Sequence, residues 1–129
     1  QRGVEVIMLN SEVMDQAAVG YAQRSFYEEL LEAGVKIYLY NAPILLHSKH
    51  LTIDDDIAVI GSSNMDIRSF ALDLECVVAL YDKKVVSDLK KIQAKDLKRS
   101  TRLDLAQWRK RKLRYKFYES IARLTSALQ

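Results

Sequence analysis

The chain has 129 residues, of which 49% are apolar, and a formal net charge of +3. This length and composition suit one compact domain with a core and exclude a disordered chain. A single cysteine, Cys76, excludes a disulfide framework and a cysteine metal cluster. No apolar run approaches the ~20 residues of a membrane span. The start at Gln1 has neither an initiator methionine nor a signal peptide, so we expect the chain to derive from a longer protein.

The charge is distributed unevenly along the chain. Residues 1–82 contain thirteen acidic and five basic residues, whereas residues 83–129 contain four acidic and fifteen basic residues. An acidic body followed by a basic tail indicates an anionic partner for the tail. That partner is a nucleic acid, a membrane surface or another part of the same protein.

The N-terminal third predicts a strand, a helix and a second strand. Residues 4–9 form a short β-branched run that predicts the first strand. Residues 13–33 place apolar side chains at spacings of three and four and stop at Gly34, which predicts an amphipathic helix with a glycine cap. Residues 35–40 predict the second strand. The short links indicate a right-handed βαβ unit in a parallel or mixed sheet.

The middle of the chain predicts three more strands. Two of them, residues 45–53 and 57–60, flank the acidic turn Asp54-Asp55-Asp56. The third covers residues 74–81, and the pattern becomes helical from Lys83 onward.

These elements predict an α/β fold with a mixed, mostly parallel sheet flanked by helices. The helical pattern of the tail breaks near Ser100-Thr101. We therefore expect one domain over residues 1–102, followed by a basic amphipathic helical segment over residues 103–129.

Both histidines of the chain lie in the stretch HSKHLTID, residues 47–54. On an extended strand His47 and Lys49 would point to one side and His50 to the other. An ammonium beside an imidazole suits a phosphate site, because the lysine can hold phosphate oxygens while the imidazole attacks phosphorus or protonates a leaving oxygen. Taken in isolation, the H-x-K pattern more often marks a polar strand end with a solvated lysine.

The residues that follow select between these interpretations. His47-x-Lys49 is followed after four residues by Asp54, and then by Gly61-Ser62-Ser63-Asn64. In this register they resemble the signature of the phospholipase D superfamily, HxKxxxxD followed by GSxN. The resemblance implies a phospholipase D-like fold for this chain.

The continuation after this signature narrows the resemblance. Residues 64–70, NMDIRSF, and the following Leu74-Glu75 are similar to a stretch of bacterial cardiolipin synthases that commonly reads N-x-D-x-R-S followed by N-x-E. Asp73 departs from that pattern, which usually has asparagine at this position.

The resemblance implies that two HxKxxxxD motifs, one from each half of a pseudo-symmetric protein, act on one phosphate without a metal or a cofactor. One histidine forms a phosphohistidine, and the other acts as acid and then as base. By resemblance, the residues with roles in this chain are His47, Lys49 and Glu75 in catalysis, Lys49, Ser62 and Asn64 in phosphate binding, and Asp54, Gly61, Asp66 and Arg68 in supporting the motif.

Some of these roles have alternatives. Related single-motif nucleases use an acidic residue near the position of Glu75 to orient the histidine, but a surface glutamate at a strand start fits the sequence as well. On an extended strand the side chain of Asp54 would point to the opposite side from that of His47. We therefore interpret Asp54 as a turn-fixing residue. Arg68 either binds substrate phosphate or ties down its loop with an ion pair.

The resemblance implies the C-terminal catalytic half of a cardiolipin synthase-like phosphatidyltransferase, which makes cardiolipin and glycerol from two phosphatidylglycerol molecules. Its partners would be anionic phospholipid and either the N-terminal half of the protein or a second copy. The expected location is the cytoplasmic face of a bacterial membrane, with this fragment itself soluble. A hydrolytic phospholipase D, a dimeric phosphodiesterase or nuclease, and a non-enzymatic nucleic-acid-binding module are the alternatives.

The tail contains an apolar stripe at helical spacing. In a basic segment that begins near Trp108, the stripe consists of Leu113, Phe117, Ile121, Leu124 and Leu128. Such a helix can lie on an anionic bilayer with the stripe at the headgroup boundary. Alternatively the stripe packs against the body or against the other half, and the cations are a solvated face.

Overall fold

The computed structural model of the chain describes residues 3–124, apart from the side chain of Ile67. Its residues form two compact units. Unit 1 comprises Gln1–Leu46 and Arg99–Gln129, and unit 2 comprises His47–Lys98. In chain order the elements are β1 (Ile7–Ser11), α1 (Ala17–Ser25), α2 (Tyr27–Glu32), β2 (Lys36–Tyr40), β3 (His50–Ile53), β4 (Ile57–Gly61), α3 (Ile67–Ala71), β5 (Val77–Leu80), α4 (Lys83–Lys98), β6 (Ser100–Arg102), α5 (Leu105–Arg109) and α6 (Leu113–Leu124).

Unit 1 contains the predicted strand–helix–strand arrangement. Strands β1 and β2 pair in parallel, which confirms the expected pairing, and β6 adds to β2 in the antiparallel direction. The single helix predicted over residues 13–33 is two helices that meet at Phe26. Gly34 follows α2 with a φ of 90°, a left-handed conformation that glycine adopts without strain, and its N–H donates to the Leu31 carbonyl at 3.0 Å.

The core of unit 1 forms around Tyr27, Ile37 and Trp108. The rings of Tyr27 and Trp108 lie 5.3 Å apart, and Asn10 Nδ2 donates to the Tyr27 hydroxyl at 2.9 Å. Burial raises the pKa of Tyr27 to about 12. Trp108 is therefore a core residue in the short helix α5, and the apolar stripe belongs to the separate helix α6, so the tail is not one continuous helix that starts at Trp108.

Unit 2 is an antiparallel sheet in the order β3-β4-β5. Helix α4 packs on it through Val86 and Leu89, which contact Ala58 and Leu80. The predicted hairpin is confirmed, although β3 and β5 are shorter than expected. Two elements were not predicted, α3 in unit 2 and β6 in unit 1, because segments of five and three residues are too short for a recognisable period.

The mixed α/β class is confirmed, but the prediction of a mostly parallel sheet is wrong. Among the described strands, one pairing is parallel and three are antiparallel, and they form two three-stranded sheets. The short turn at residues 54–56 explains why β3 and β4 are antiparallel, because parallel strands need a much longer crossover.

The expected domain boundary between residues 102 and 103 stays a prediction. Within residues 3–124, no helix is both long and apolar enough to cross a membrane.

Helix α6 packs on α1 through a different face from the apolar stripe. Glu119 and Ala122 are buried, and the Tyr118 ring lies 5.8 Å from that of Tyr21. The stripe is exposed, with side-chain exposures of 81% for Leu113, 63% for Phe117, 49% for Ile121 and 85% for Leu124. Leu128 lies outside the described residues. The alternative in which the stripe packs against this body is therefore wrong for residues 113–124.

Candidate active site

His47 and Lys49 lie just before a strand, not within one. The strand predicted over residues 45–53 begins only at His50. The two side chains nevertheless meet, because Lys49 Nζ lies 3.1 Å from His47 Nε2 and donates to the His47 carbonyl at 3.3 Å. An ammonium has only donors, so this contact is a hydrogen bond only in the tautomer that has its proton on Nδ1. His47 is exposed, with Nε2 beside the Lys49 ammonium.

Gly61 links the histidine–lysine pair to the second part of the motif. Its N–H donates to the Lys49 carbonyl at 3.2 Å, and the next N–H, from Ser62, donates to the Cys76 carbonyl at 3.0 Å. A Cβ at position 61 would meet the Cys76 carbonyl oxygen and lie 2.7 Å from Val77 Cα. Glycine is required here because β4 and β5 approach too closely for a side chain.

Glu75 accepts hydrogen bonds from two serines. Ser62 Oγ donates to one carboxylate oxygen, and Ser69 Oγ donates to the other at 2.9 Å. Ser62 Oγ also accepts from Cys76 N at 3.1 Å, and Ser69 Oγ accepts from Asn64 N at 3.1 Å. The network therefore fixes the backbone of the GSxN turn at both ends.

Ser69 is a site residue to which the sequence interpretation gave no role. It is buried, and its N–H donates to Asp66 Oδ1 at 2.7 Å, which makes Asp66 the N-cap of α3. The available signal for the start of α3 was Asp66 directly before an apolar residue, which is a helix-start pattern. The placement of Asp66 fits the supporting role that the resemblance implied.

Arg68 and Asp73 form an ion pair across the loop that follows α3. Arg68 Nε lies 3.1 and 2.9 Å from the two Asp73 carboxylate oxygens, and Asp73 N donates to the Arg68 carbonyl at 2.9 Å. Of the two roles left open for Arg68, the structure contains the loop contact. Both side chains are about half exposed, so the pair contributes at most ~1 kcal/mol. An asparagine at position 73 would lack the charge for this pair.

The remaining predicted residues lie as follows. Among the described residues, Glu75 is hydrogen-bonded to the two serines and not to His47, so its orienting role stays a prediction. Asp54 is exposed and lies in the turn between β3 and β4 with a φ of 50°, which fits a turn-fixing residue. Residues 3–124 contain no group of three or more His, Cys, Asp or Glu side chains that could together hold a metal ion.

His50 differs from His47 in its environment. It begins β3 opposite Ile60 and is partly buried, whereas His47 is exposed. Burial lowers the pKa of His50, and the nearby Asp96 carboxylate opposes this shift only in part. The two histidines therefore differ in how far their side chains are buried.

Comparison with known proteins identifies the family. A family model described as "Cardiolipin synthase, PLD-like domain" matches residues 1–97. The chain belongs to this family. This confirms the resemblance drawn from the HxKxxxxD and GSxN residues.

Three curated relatives carry the same family name. Cardiolipin synthase 2 of Bacillus anthracis is 42% identical over 98% of this chain and 24% of its own length. The cardiolipin synthase of Geobacillus kaustophilus is 40% identical over 98% of this chain and 25% of its own length. Cardiolipin synthase A of Escherichia coli O1:K1 is 41% identical over 88% of this chain and 23% of its own length.

The chain thus spans about a quarter of the length of these relatives. No solved structure matches the chain.

The close approach at Gly61 predicts that Gly61→Ala destabilises unit 2. The added methyl meets backbone atoms, which cannot move aside cheaply, so we expect the free energy of unfolding to fall by about 1–3 kcal/mol. Urea unfolding measures this loss, and faster hydrogen exchange at the amides of residues 61 and 62 would locate it. Gly20→Ala is the control, because its methyl meets the flexible Met14 side chain instead. Unchanged stability and exchange for Gly61→Ala would contradict the close approach.

The lowered pKa of His50 predicts a loss of stability on acidification. The unfolded chain binds a proton at the usual pKa of 6.5, whereas the folded chain binds it only at lower pH. The unfolded state therefore gains protons first, and stability falls as pH decreases below about 6.5. We expect His50→Gln to reduce the slope of the unfolding free energy between about pH 7 and 5, measured by urea unfolding. Identical slopes for the variant and the wild type would refute the assignment.

Proposed function

We propose that this chain supplies one of the two HxKxxxxD motifs of a cardiolipin synthase. The enzyme would transfer a phosphatidyl group from one phosphatidylglycerol to the glycerol hydroxyl of another, giving cardiolipin and glycerol. The observation that carries the proposal is the contact between Lys49 Nζ and His47 Nε2, because a phosphate bound by the lysine would lie within reach of the imidazole. The names of the relatives, both cardiolipin synthases, support the same activity.

The proposed reaction divides into two steps around a phosphohistidine. In the first step one imidazole Nε2 attacks phosphorus, the bond from phosphorus to the glycerol oxygen breaks, and the second imidazole protonates the leaving glycerol. In the second step that second imidazole takes the proton of the acceptor hydroxyl, which attacks phosphorus and breaks the P–N bond. His47 is the imidazole that this chain would supply, as the nucleophile or as the acid and base, and its Nε2 lies beside Lys49 Nζ.

Lys49 and Asn64 are the proposed phosphate ligands from this chain. Lys49 would stabilise the charge that develops on the phosphate oxygens. The Asn64 side chain is exposed and has no hydrogen-bond partner among the described residues, so its amide is available to a ligand. The Ser62 hydroxyl proton already points to Glu75, so we assign Ser62 to holding the turn.

The other imidazole has to come from outside this chain's motif. The chain contains two histidines, and His50 is partly buried at the start of β3, away from the lysine contact. Because the chain spans about a quarter of its relatives, the remainder of a longer protein can supply the second motif. A second copy of the chain is the other source.

The exposed stripe of α6 is the proposed membrane contact. Leu113, Phe117, Ile121 and Leu124 form a continuous apolar surface on the side of α6 away from α1. Arg114 is an exposed cation on the same helix. A helix of this kind suits an anionic membrane surface, proposed here as the cytoplasmic face of a bacterial membrane.

The two histidines predict unequal effects on catalysis. In the intact enzyme we expect His47→Ala to reduce cardiolipin formation by about 10³-fold or more, since the substitution removes the nucleophile or the acid–base group. His50→Ala should retain activity within about tenfold of the wild type, because it removes no reacting group. Cardiolipin and glycerol formed from phosphatidylglycerol vesicles are the readouts, with circular dichroism to check folding. Equal losses in two folded variants would contradict the assignment of His47.

The α6 stripe predicts charge-dependent membrane binding. We expect the 129-residue chain to float with phosphatidylglycerol vesicles at low salt, and Phe117→Ser with Ile121→Ser to reduce the bound fraction severalfold. Substitution is preferable to deletion of residues 103–129, because Trp108 belongs to the core of unit 1.

The control for this experiment is Ile44→Ser with Leu45→Ser, which removes two exposed apolar side chains elsewhere in unit 1. Flotation that is equal with neutral vesicles, or that survives the Phe117 and Ile121 substitutions, would show that α6 is not the membrane contact.

A further inference from the structure

Unit 1 contains a cleft of about 170 Å³ between the α1–α2 segment and α6. All its lining residues belong to unit 1, whereas the HxKxxxxD residues belong to unit 2. The charged lining side chains are four cations, Arg24, Arg111, Lys116 and Arg123, and two carboxylates, Glu28 and Glu119. The lining therefore has an excess of positive charge.

Two of the cations are held rigidly by carboxylates and rings. Both guanidinium Nη atoms of Arg111 donate to the buried Glu119 carboxylate, and the guanidinium lies 3.3 Å from the centre of the Trp108 ring. Arg123 Nη1 donates to Glu29 at 2.6 Å and its guanidinium lies 4.4 Å from the centre of the Phe26 ring. These contacts shape the walls of the cleft and largely neutralise both arginines.

The other two cations have N–H groups that are not hydrogen-bonded to a carboxylate among the described residues. Arg24 Nη2 donates to the Glu12 carbonyl at 2.9 Å, and among the described residues the Arg24 guanidinium has no carboxylate partner. Lys116 Nζ lies 3.8 Å from Glu28, which is beyond hydrogen-bond distance, and Glu28 already accepts from Arg109 at 3.1 Å. Arg24 and Lys116 can therefore each donate to an anion in the cleft.

The cleft borders the exposed apolar stripe of α6. Three residues on its α6 wall, Lys116, Ser120 and Arg123, are each followed directly by a stripe residue, Phe117, Ile121 and Leu124. Successive residues of a helix are separated by about 100°, so the cleft wall and the stripe are adjacent faces of α6. A ligand with an anionic group and a long apolar chain can contact both faces at once.

We propose that this cleft binds the phosphodiester group of one anionic phospholipid, apart from the catalytic motif. Arg24 and Lys116 donate to the non-bridging oxygens, and an acyl chain lies along Phe117 and Ile121. A lipid headgroup and free phosphate share the anion chemistry, but only the lipid uses the stripe. The inference rests on the proposed function in one respect, that α6 faces lipid.

The test uses the 129-residue chain and short-chain phosphatidylglycerol below its micelle concentration, with inorganic phosphate as the second ligand. Titrations followed by NMR report both affinity and position, and we expect shift changes at residues 24, 116 and 120 with tighter binding of the lipid. Arg24→Gln with Lys116→Gln should weaken lipid binding about tenfold or more, because it removes two charge-assisted contacts. Arg24→Lys with Lys116→Arg keeps the charges and should retain most of the binding.

The matched control is Lys110→Gln with Lys112→Gln, which removes two exposed cations that do not line the cleft. An equal loss in this control, or undiminished binding in the Arg24 and Lys116 variant, would overturn the proposal. Phosphate that binds at these residues as tightly as the lipid would overturn the lipid assignment. His47→Ala should leave shift changes at the cleft intact whether or not that variant retains transfer activity, so the two proposals fail separately.

Discussion

The close backbone approach at Gly61 holds the two parts of the motif together. Its N–H donates to the carbonyl of Lys49, and the neighbouring Ser62 N–H donates to the carbonyl of Cys76. The space beside Gly61 is filled by backbone atoms of β5, so only glycine lets the strands meet in this register. The histidine–lysine pair before β3 and the serine–glutamate network at β5 are consequently positioned through one residue.

In the candidate site, the residues proposed to react or to bind phosphate differ in burial from those that hold the turn. His47 and Asn64 are exposed, whereas Ser69 is buried and has its donor and acceptor capacity used by Glu75, Asn64 and Asp66. Satisfied polar networks of this kind restrict a turn to one conformation, because each member that rotates away leaves a partner unpaired. The GSxN turn can thus present the Asn64 side chain without depending on contacts from it.

Much of the basic charge of the tail is matched within unit 1. Arg109 contacts Glu28, Arg111 contacts Glu119 and Arg123 contacts Glu29, so acidic residues of α2 and α6 pair with cations of α5, of α6 and of the link between these two helices. The charge asymmetry of the sequence therefore has a partly intramolecular explanation. What remains for an external anion is the smaller set of cations without a carboxylate at hydrogen-bond distance, which includes Arg24 and Lys116 at the cleft.

The sequence by itself determined the family, the motif residues, the parallel strand pair and the glycine that ends α2, because each depends on residue identity at short, local spacings. Only the tertiary structure decided that Trp108 is a core residue and that Ser69 completes the Glu75 network. It also decided which face of α6 is buried. A helical period identifies two faces but not their partners, and the Tyr118 face packs because α1, almost a hundred residues earlier in the chain, is the surface it meets.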